Sequence, residues 1–131
     1  MLRNFQMSNN ANNFDGLLET TESAPDEQFY QRADEFIALA NELADTTDDA
    51  EQFAQSAAKV SASLMYANAR FDIWLTACGY DKAEDMQAHK QQIMQYFLDQ
   101  YKVMLEDNFE EYANNFEEYM NPPQDEVKHF V

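Results

Sequence analysis

Tyr66, Asn68, Arg70 and Asp72 bring four different polar side chains within seven residues of this sequence. A phenol, an amide, a guanidinium and a carboxylate so close together could bind a small polar ligand in a pocket. The plainer reading is a structural salt bridge or a solvated helix face. Asp72 cannot easily pair with Arg70, because residues two apart on a helix point away from each other. A buried Arg70 would need another carboxylate, and Asp34, Glu35 or an acid on a later helix is the expected partner. Cys78 is the only cysteine, which excludes an internal disulfide and a thiolate zinc site. Neither His89 nor His129 is near it in sequence, so nucleophilic catalysis is not expected. Glu126 and His129 match the Glu-x-x-His spacing of carboxylate-bridged di-iron bundles, which need a second such motif and further carboxylates on facing helices. Asp85 and His89 lie four apart and could share a metal, but a solvated pair is the ordinary outcome. The expectation is a protein with no catalytic residue, no metal and no cofactor.

The element that would carry the polar set is the stretch Glu51–Cys78. Its apolar and small residues, Phe53, Ala57, Val60, Leu64, Ala67, Phe71, Trp74 and Cys78, recur in alternating steps of four and three. That is the seam of a helix packed along its length, with Cys78 a small buried hydrophobe on it. Ala54, Ala58, Ser61, Ala62 and Ser63 are small enough for a second helix to approach closely.

A first helix is expected from near Ser23 to near Asp45, with Ser23 as N-cap and Pro25 in the first turn. Its seam is Phe29, Ala33, Phe36, Ala40 and Leu43, widened by Ile37 and Ala44. Asp48 with Glu51 reads as an acidic capping box for the central helix, and Gly79 as its stop. Asp81 with Glu84 repeats the starting signal for a third helix from about Lys82 to Met120, halted by Pro122 and Pro123. Met86, Ile93, Met94, Phe97, Tyr101, Met104 and Leu105 are its expected inward residues. The fold class is all-α, an antiparallel bundle of three long helices.

At 1.5 Å per residue the first two helices would span roughly 30 and 40 Å, and an unbroken third roughly 58 Å. The third must therefore be broken into a fourth segment, near Glu106–Asn108 or at Asn114–Asn115, or extend and pack on another chain. Within it NFEEY at Asn108–Tyr112 recurs one heptad later at Asn115–Tyr119. Phe109, Tyr112, Phe116 and Tyr119 then share one face, and Glu110, Glu111, Glu117 and Glu118 the opposite one. With Glu106 and Asp107 these acids make a surface that is solvated or complements a basic partner.

The 131 residues carry 25 acidic and 8 basic side chains, a net charge of −17. The basic residues are scattered singly, so direct nucleic-acid binding is not expected, nor docking on an anionic membrane. No apolar run suits a transmembrane helix, and the N-terminus has no secretory h-region, so the expected location is cytoplasmic. Residues 1–22 read as a flexible arm bearing one apolar cluster, Phe14, Leu17 and Leu18. Met7 is an alternative start. Residues 23–120 read as a single bundle domain and 121–131 as a tail ending in Val131.

The runs FYQRADEFIALANE, KVSASLMYANARFDIWL and AEDMQAHKQQIMQYFLDQYKVMLEDNFEEY resemble a family of small acidic bacterial proteins catalogued as a domain of unknown function. The resemblance spans Phe29 to Tyr119, with VSASLMYANARF its most specific part. It implies a bacterial, cytosolic, stand-alone helical domain and transfers no site residue. The functional expectation is a non-enzymatic interaction module that binds another protein or self-associates as a homodimer through the aromatic and acidic faces of the third helix. The alternatives are an acidic phosphate mimic that antagonises a basic protein, or a small-ligand carrier or enzyme using the polar set.

Overall fold

The computed structural model describes residues 26–121. Among them the regular elements are all helices: α1 Phe29–Ala44, α2 Ala50–Ala77, α3 Ala83–Ala88, α4 Lys90–Asn114 and α5 Phe116–Met120. The Ser23 cap, Pro25, the Phe14–Leu18 cluster, the Pro122–Pro123 stop, the Glu126–His129 spacing and the C-terminal tail lie outside the described residues. The chain divides into two compact units, Met1–Lys90 and Gln91–Val131.

In the first unit α1 and α2 pack on each other, joined by the short connection 45–49. Such a connection makes sequential helices neighbours. α1 starts at Phe29, later than the expected Ser23, and Asp26 explains the shift. Its carboxylate accepts the Gln28 N–H at 2.9 Å, and its carbonyl accepts the Phe29 N–H at 3.1 Å. Those bonds fold residues 26–28 into a turn in place of a helical one. The Arg32 guanidinium holds the same carboxylate at 3.0 Å, and with the Gln28 N–H it keeps Asp26 below the ordinary carboxylate pKa.

The connection is tied by short bonds of the same kind. Thr47 Oγ1 accepts the Asp49 N–H at 3.1 Å, and Asp49 in turn caps α2 by accepting the Gln52 N–H at 2.9 Å. The cap is therefore Asp49, one residue after the expected Asp48. Asp49 is extended at φ −78°, ψ 123°, the conformation an N-cap needs to reach forward.

The buried face of α1 is rotated from the expected seam. Phe29, Ala33, Ile37 and Ala40 are half-buried and Ala44 is buried, whereas Phe36 and Leu43 stand 62% and 57% exposed. Three alanines share that inner side with Phe29 and Ile37, while Phe36 and Leu43 are left outside. The α2 seam is covered at Phe53, Ala57 and Val60 and again at Trp74 and Cys78. Between them Leu64, Ala67 and Phe71 are exposed, so α2 is not packed along its whole length. Lengths account for the gap. α1 has 16 residues against 28 in α2, so a neighbour running back from the connection ends level with the middle of α2.

Thr76, near the C-terminus of α2, is the most buried polar residue described, and its hydroxyl donates to the Asp72 carbonyl at 2.8 Å. Gly79 closes the end with its N–H on the Thr76 carbonyl at 3.0 Å. α3 begins at Ala83 with Lys82 as N-cap and no side-chain cap, so Asp81 does not play the expected role. α3 stops at His89 (φ −102°, ψ 11°), whose N–H bonds the Met86 carbonyl at 3.1 Å in a tightened last turn. No sequence signal marked that stop.

In the second unit α4 runs without interruption through Glu106–Asn108, where a bend had been one expectation. The other expected weak point, Asn114–Asn115, is where α4 gives way to α5. Ile93 is buried and Tyr96, Phe97 and Gln100 are half-buried. Met94, Tyr101, Met104 and Leu105, expected inward, stand between 43% and 52% exposed. Among the described residues, Ala44 and Ile93 are the buried hydrophobic ones.

Candidate functional site

The polar set on α2 does not converge. Across a continuous helix Tyr66 and Arg70 lie four apart on one side, while Asn68 and Asp72 share a side about 160° away. Tyr66, Asn68 and Arg70 are exposed, and Arg70 has no ion-pair partner among the described residues. The expected pairing with Asp34 or Glu35 is not made, because an exposed guanidinium keeps its water and needs no carboxylate. Asp72 is half-buried, and desolvation raises its pKa from the ordinary 3.8.

Asp85 and His89 do not meet through the carboxylate. The His89 Nδ1 lies 3.0 Å from the Asp85 backbone carbonyl, so that nitrogen carries the proton and donates. The His89 ring lies 5.8 Å from that of Tyr80. Among the described residues no group of three or more His, Cys, Asp or Glu side chains could hold a metal ion. Cys78 is a free thiol, half-buried.

The aromatic heptad repeat forms a more definite arrangement. Asn115 breaks the helix at φ −124°, ψ 34°, and its side-chain amide donates to the Glu111 carbonyl at 3.0 Å and to the Glu111 carboxylate at 3.3 Å. The Tyr119 hydroxyl donates to that same carboxylate at 2.8 Å. Tyr112 and Tyr119 stack with centroids 4.2 Å apart and planes 20° from parallel. Residues seven apart on a straight helix are separated by about 10 Å along its axis, so the break at Asn115 is what lets the rings meet. Glu111 thus serves the tyrosine side, and the opposite acidic face expected from the sequence retains Glu110, Glu117 and Glu118. The bond to Glu111 raises the Tyr119 pKa above its ordinary 10.0, because phenolate beside carboxylate is unfavourable.

Phe109 and Phe116 are left 71% and 56% exposed, whereas Tyr112 is half-buried. Sequence reasoning missed the residues that continue this surface toward the N-terminus of α4. Met94, Leu98, Tyr101, Leu105 and Phe109 are all exposed, and with Tyr112 they recur in steps of four, three, four, four and three. At 100° per residue all six fall within about an 80° arc, centred about 130° from the half-buried side marked by Ile93, Tyr96, Phe97 and Gln100. The signal was present as an excess of apolar residues, more than one helix face can bury. Glu106, Asp107, Glu110, Glu111, Glu117 and Glu118 are all exposed. The described residues hold one ion pair, Arg32 with Asp26, so none of these acids is neutralised among them.

Residues 29–113 match the family described as "Protein of unknown function (DUF3144)". The chain belongs to that family. The match covers more than half of the sequence, from the first residue of α1 to the last turn of α4. It takes in the hairpin and the apolar stripe but stops short of α5 and so of Phe116 and Tyr119. No curated protein and no solved structure matches the chain. Among the described residues no helix is long and apolar enough to cross a membrane.

Proposed function

We propose that the chain is a non-enzymatic protein-interaction module of the bacterial cytoplasm, and that α4 and α5 present its contact surface. The observation that carries this reading is the exposed apolar stripe from Met94 to Phe109, continued by Phe116 and Tyr119. Contiguous apolar surface of this extent, rimmed by polar groups, marks interaction sites more often than bare exposure. Aromatic residues are the side chains that contribute most at such contacts. The Asn115–Glu111–Tyr119 bonds fix part of the surface in advance, so less order remains to be imposed on binding. We take the scaffold to be the antiparallel three-helix bundle expected from the sequence, with residues 23–120 working as one domain.

The test is affinity capture by the full chain, eluted with stepped salt, beside a variant with Phe109, Tyr112, Phe116 and Tyr119 replaced by Ala. The expected result is a specific protein, or a second copy of the chain, held through high salt by the natural chain and lost by the variant. A variant that associates as the natural chain does, with helical content intact, overturns the proposal.

A second reading, an acidic antagonist of a basic protein, is favoured by the exposed unpaired carboxylates and the net charge of −17. Its signature is salt: charge-borne binding collapses between low and moderate ionic strength. A small-ligand site on Tyr66, Asn68, Arg70 and Asp72 gains no support from the division of that set into two pairs on opposite sides of α2.

A further inference from the structure

We infer that the apolar stripe of α4 is a homodimer seam, on which a second copy of this chain lays its own α4 antiparallel. The inference deepens the interaction reading and rests on it. Three observations lead from an exposed face to this occupant.

The first is self-complementarity. Met94, Leu98, Tyr101, Leu105, Phe109 and Tyr112 are spaced almost symmetrically about residue 103. Antiparallel pairing about that point places Met94 beside the partner copy's Tyr112 position, Tyr101 beside its Leu105 position, and Leu98 beside its Phe109 position. Each long aromatic residue thus meets a flexible aliphatic one, which suits a seam of uniform width.

The second is charge. The first half of α4 carries Lys90, Asp99 and Lys102, whereas the second carries Glu106, Asp107, Glu110 and Glu111. A parallel pair would set four carboxylates beside four carboxylates. The antiparallel pair sets them beside the half that holds both lysines. In that register Glu106 lies within a turn of the partner copy's Lys102.

The third is extent. The fractional exposures of Met94, Leu98, Tyr101, Leu105 and Phe109 run from 43% to 71%. Together with Tyr112 they amount to roughly 500 Å² per copy, or about 1,000 Å² for a pair, the lower end of specific interfaces. Dimerisation that is reversible and concentration-dependent is the corresponding expectation.

The test uses the full chain in sedimentation equilibrium over a wide range of concentration, with a Leu98→Glu, Leu105→Glu variant beside it. The natural chain is expected to pass from monomer to dimer, and the variant to associate roughly a hundredfold more weakly with unchanged helical circular dichroism. Orientation is read by disulfide trapping in a Cys78→Ala background. A mixture of Met94→Cys and Tyr112→Cys chains is expected to cross-link on oxidation, whereas Met94→Cys alone is not, because its two copies lie about 27 Å apart when antiparallel. Cross-linking of Met94→Cys with itself overturns the antiparallel arrangement, and a double-glutamate variant that dimerises normally overturns the seam. A chain that stays monomeric yet captures a different protein through the stripe overturns the second-copy inference alone and leaves the interaction reading standing.

Discussion

The α1–α2 hairpin and the α4–α5 segment are both amphipathic, yet they use their apolar residues in opposite ways. In the hairpin the inner side mixes Ala33, Ala40, Ala44 and Ala57 with Phe29, Ile37, Phe53 and Val60, and the two helices pack on one another. In α4 the residues from Tyr101 to Glu111 are exposed on every side, and among them are Tyr101, Val103, Met104, Leu105 and Phe109. The apolar residues of the hairpin are thus partly covered, while those of α4 from Tyr101 to Phe109 stay exposed. Helical periodicity alone does not distinguish the two. What distinguishes them is how far each apolar face is covered.

The sharpest way to break the comparison is to load the hairpin. Ala44 is 3% exposed, and Ala44→Glu would bury an unpaired charge beside the connection. The expected cost is about 3 kcal/mol, read as a fall in unfolding midpoint. A midpoint within error of the natural chain's would mean that the hairpin is no more a core than the exposed stripe is. A smaller effect follows from the cap. Asp49→Ala removes the acceptor for the Gln52 N–H, and thermal unfolding should show a loss of about 1 kcal/mol. No change would indicate that the connection is held by Thr47 alone.

The smallest effect concerns Asp72, and its sign depends on pH. Burial raises its pKa, so just above the ordinary carboxylate value the folded chain keeps a proton that the unfolded chain has released. Stability contributed at this site therefore falls as pH rises from near 3.8 through the raised pKa, and the full penalty is present at neutral pH. Asp72→Asn should raise the unfolding midpoint by about 1–2 °C at pH 7 and by nothing once the solution is more acid than the ordinary carboxylate pKa. An equal gain at both pH values would assign the effect to something other than ionisation.

Much of the helical layout was legible because periodicity and capping are local. The bounds of α2 were expected within a residue at each end, and the break at Asn115 was one of two weak points named. The start of α1 was not legible, since a turn held by Asp26 and Arg32 competes with a helical first turn and both satisfy the same backbone groups. Nor was the rotation of α1, because Phe36 and Leu43 fit the four-three period as well as Ile37 and Ala44 do, and only packing against α2 chooses between them. The aromatic repeat was visible as a heptad. Its recruitment of Glu111 was not, because the stacking of Tyr112 on Tyr119 depends on a kink that a period assumes away. The polar set on α2 looked dense in the linear sequence because residues two apart are near in number and far apart in direction.

The central claim is that the apolar face of α4 and α5 is the contact surface. Amide hydrogen exchange compares the dissociated chain with the associated chain, residue by residue, and asks this directly. Protection gained from Met94 through Met120, with α1 and α2 exchanging as before, is the predicted result. Protection gained on α1 and α2, with α4 and α5 unchanged, would contradict it.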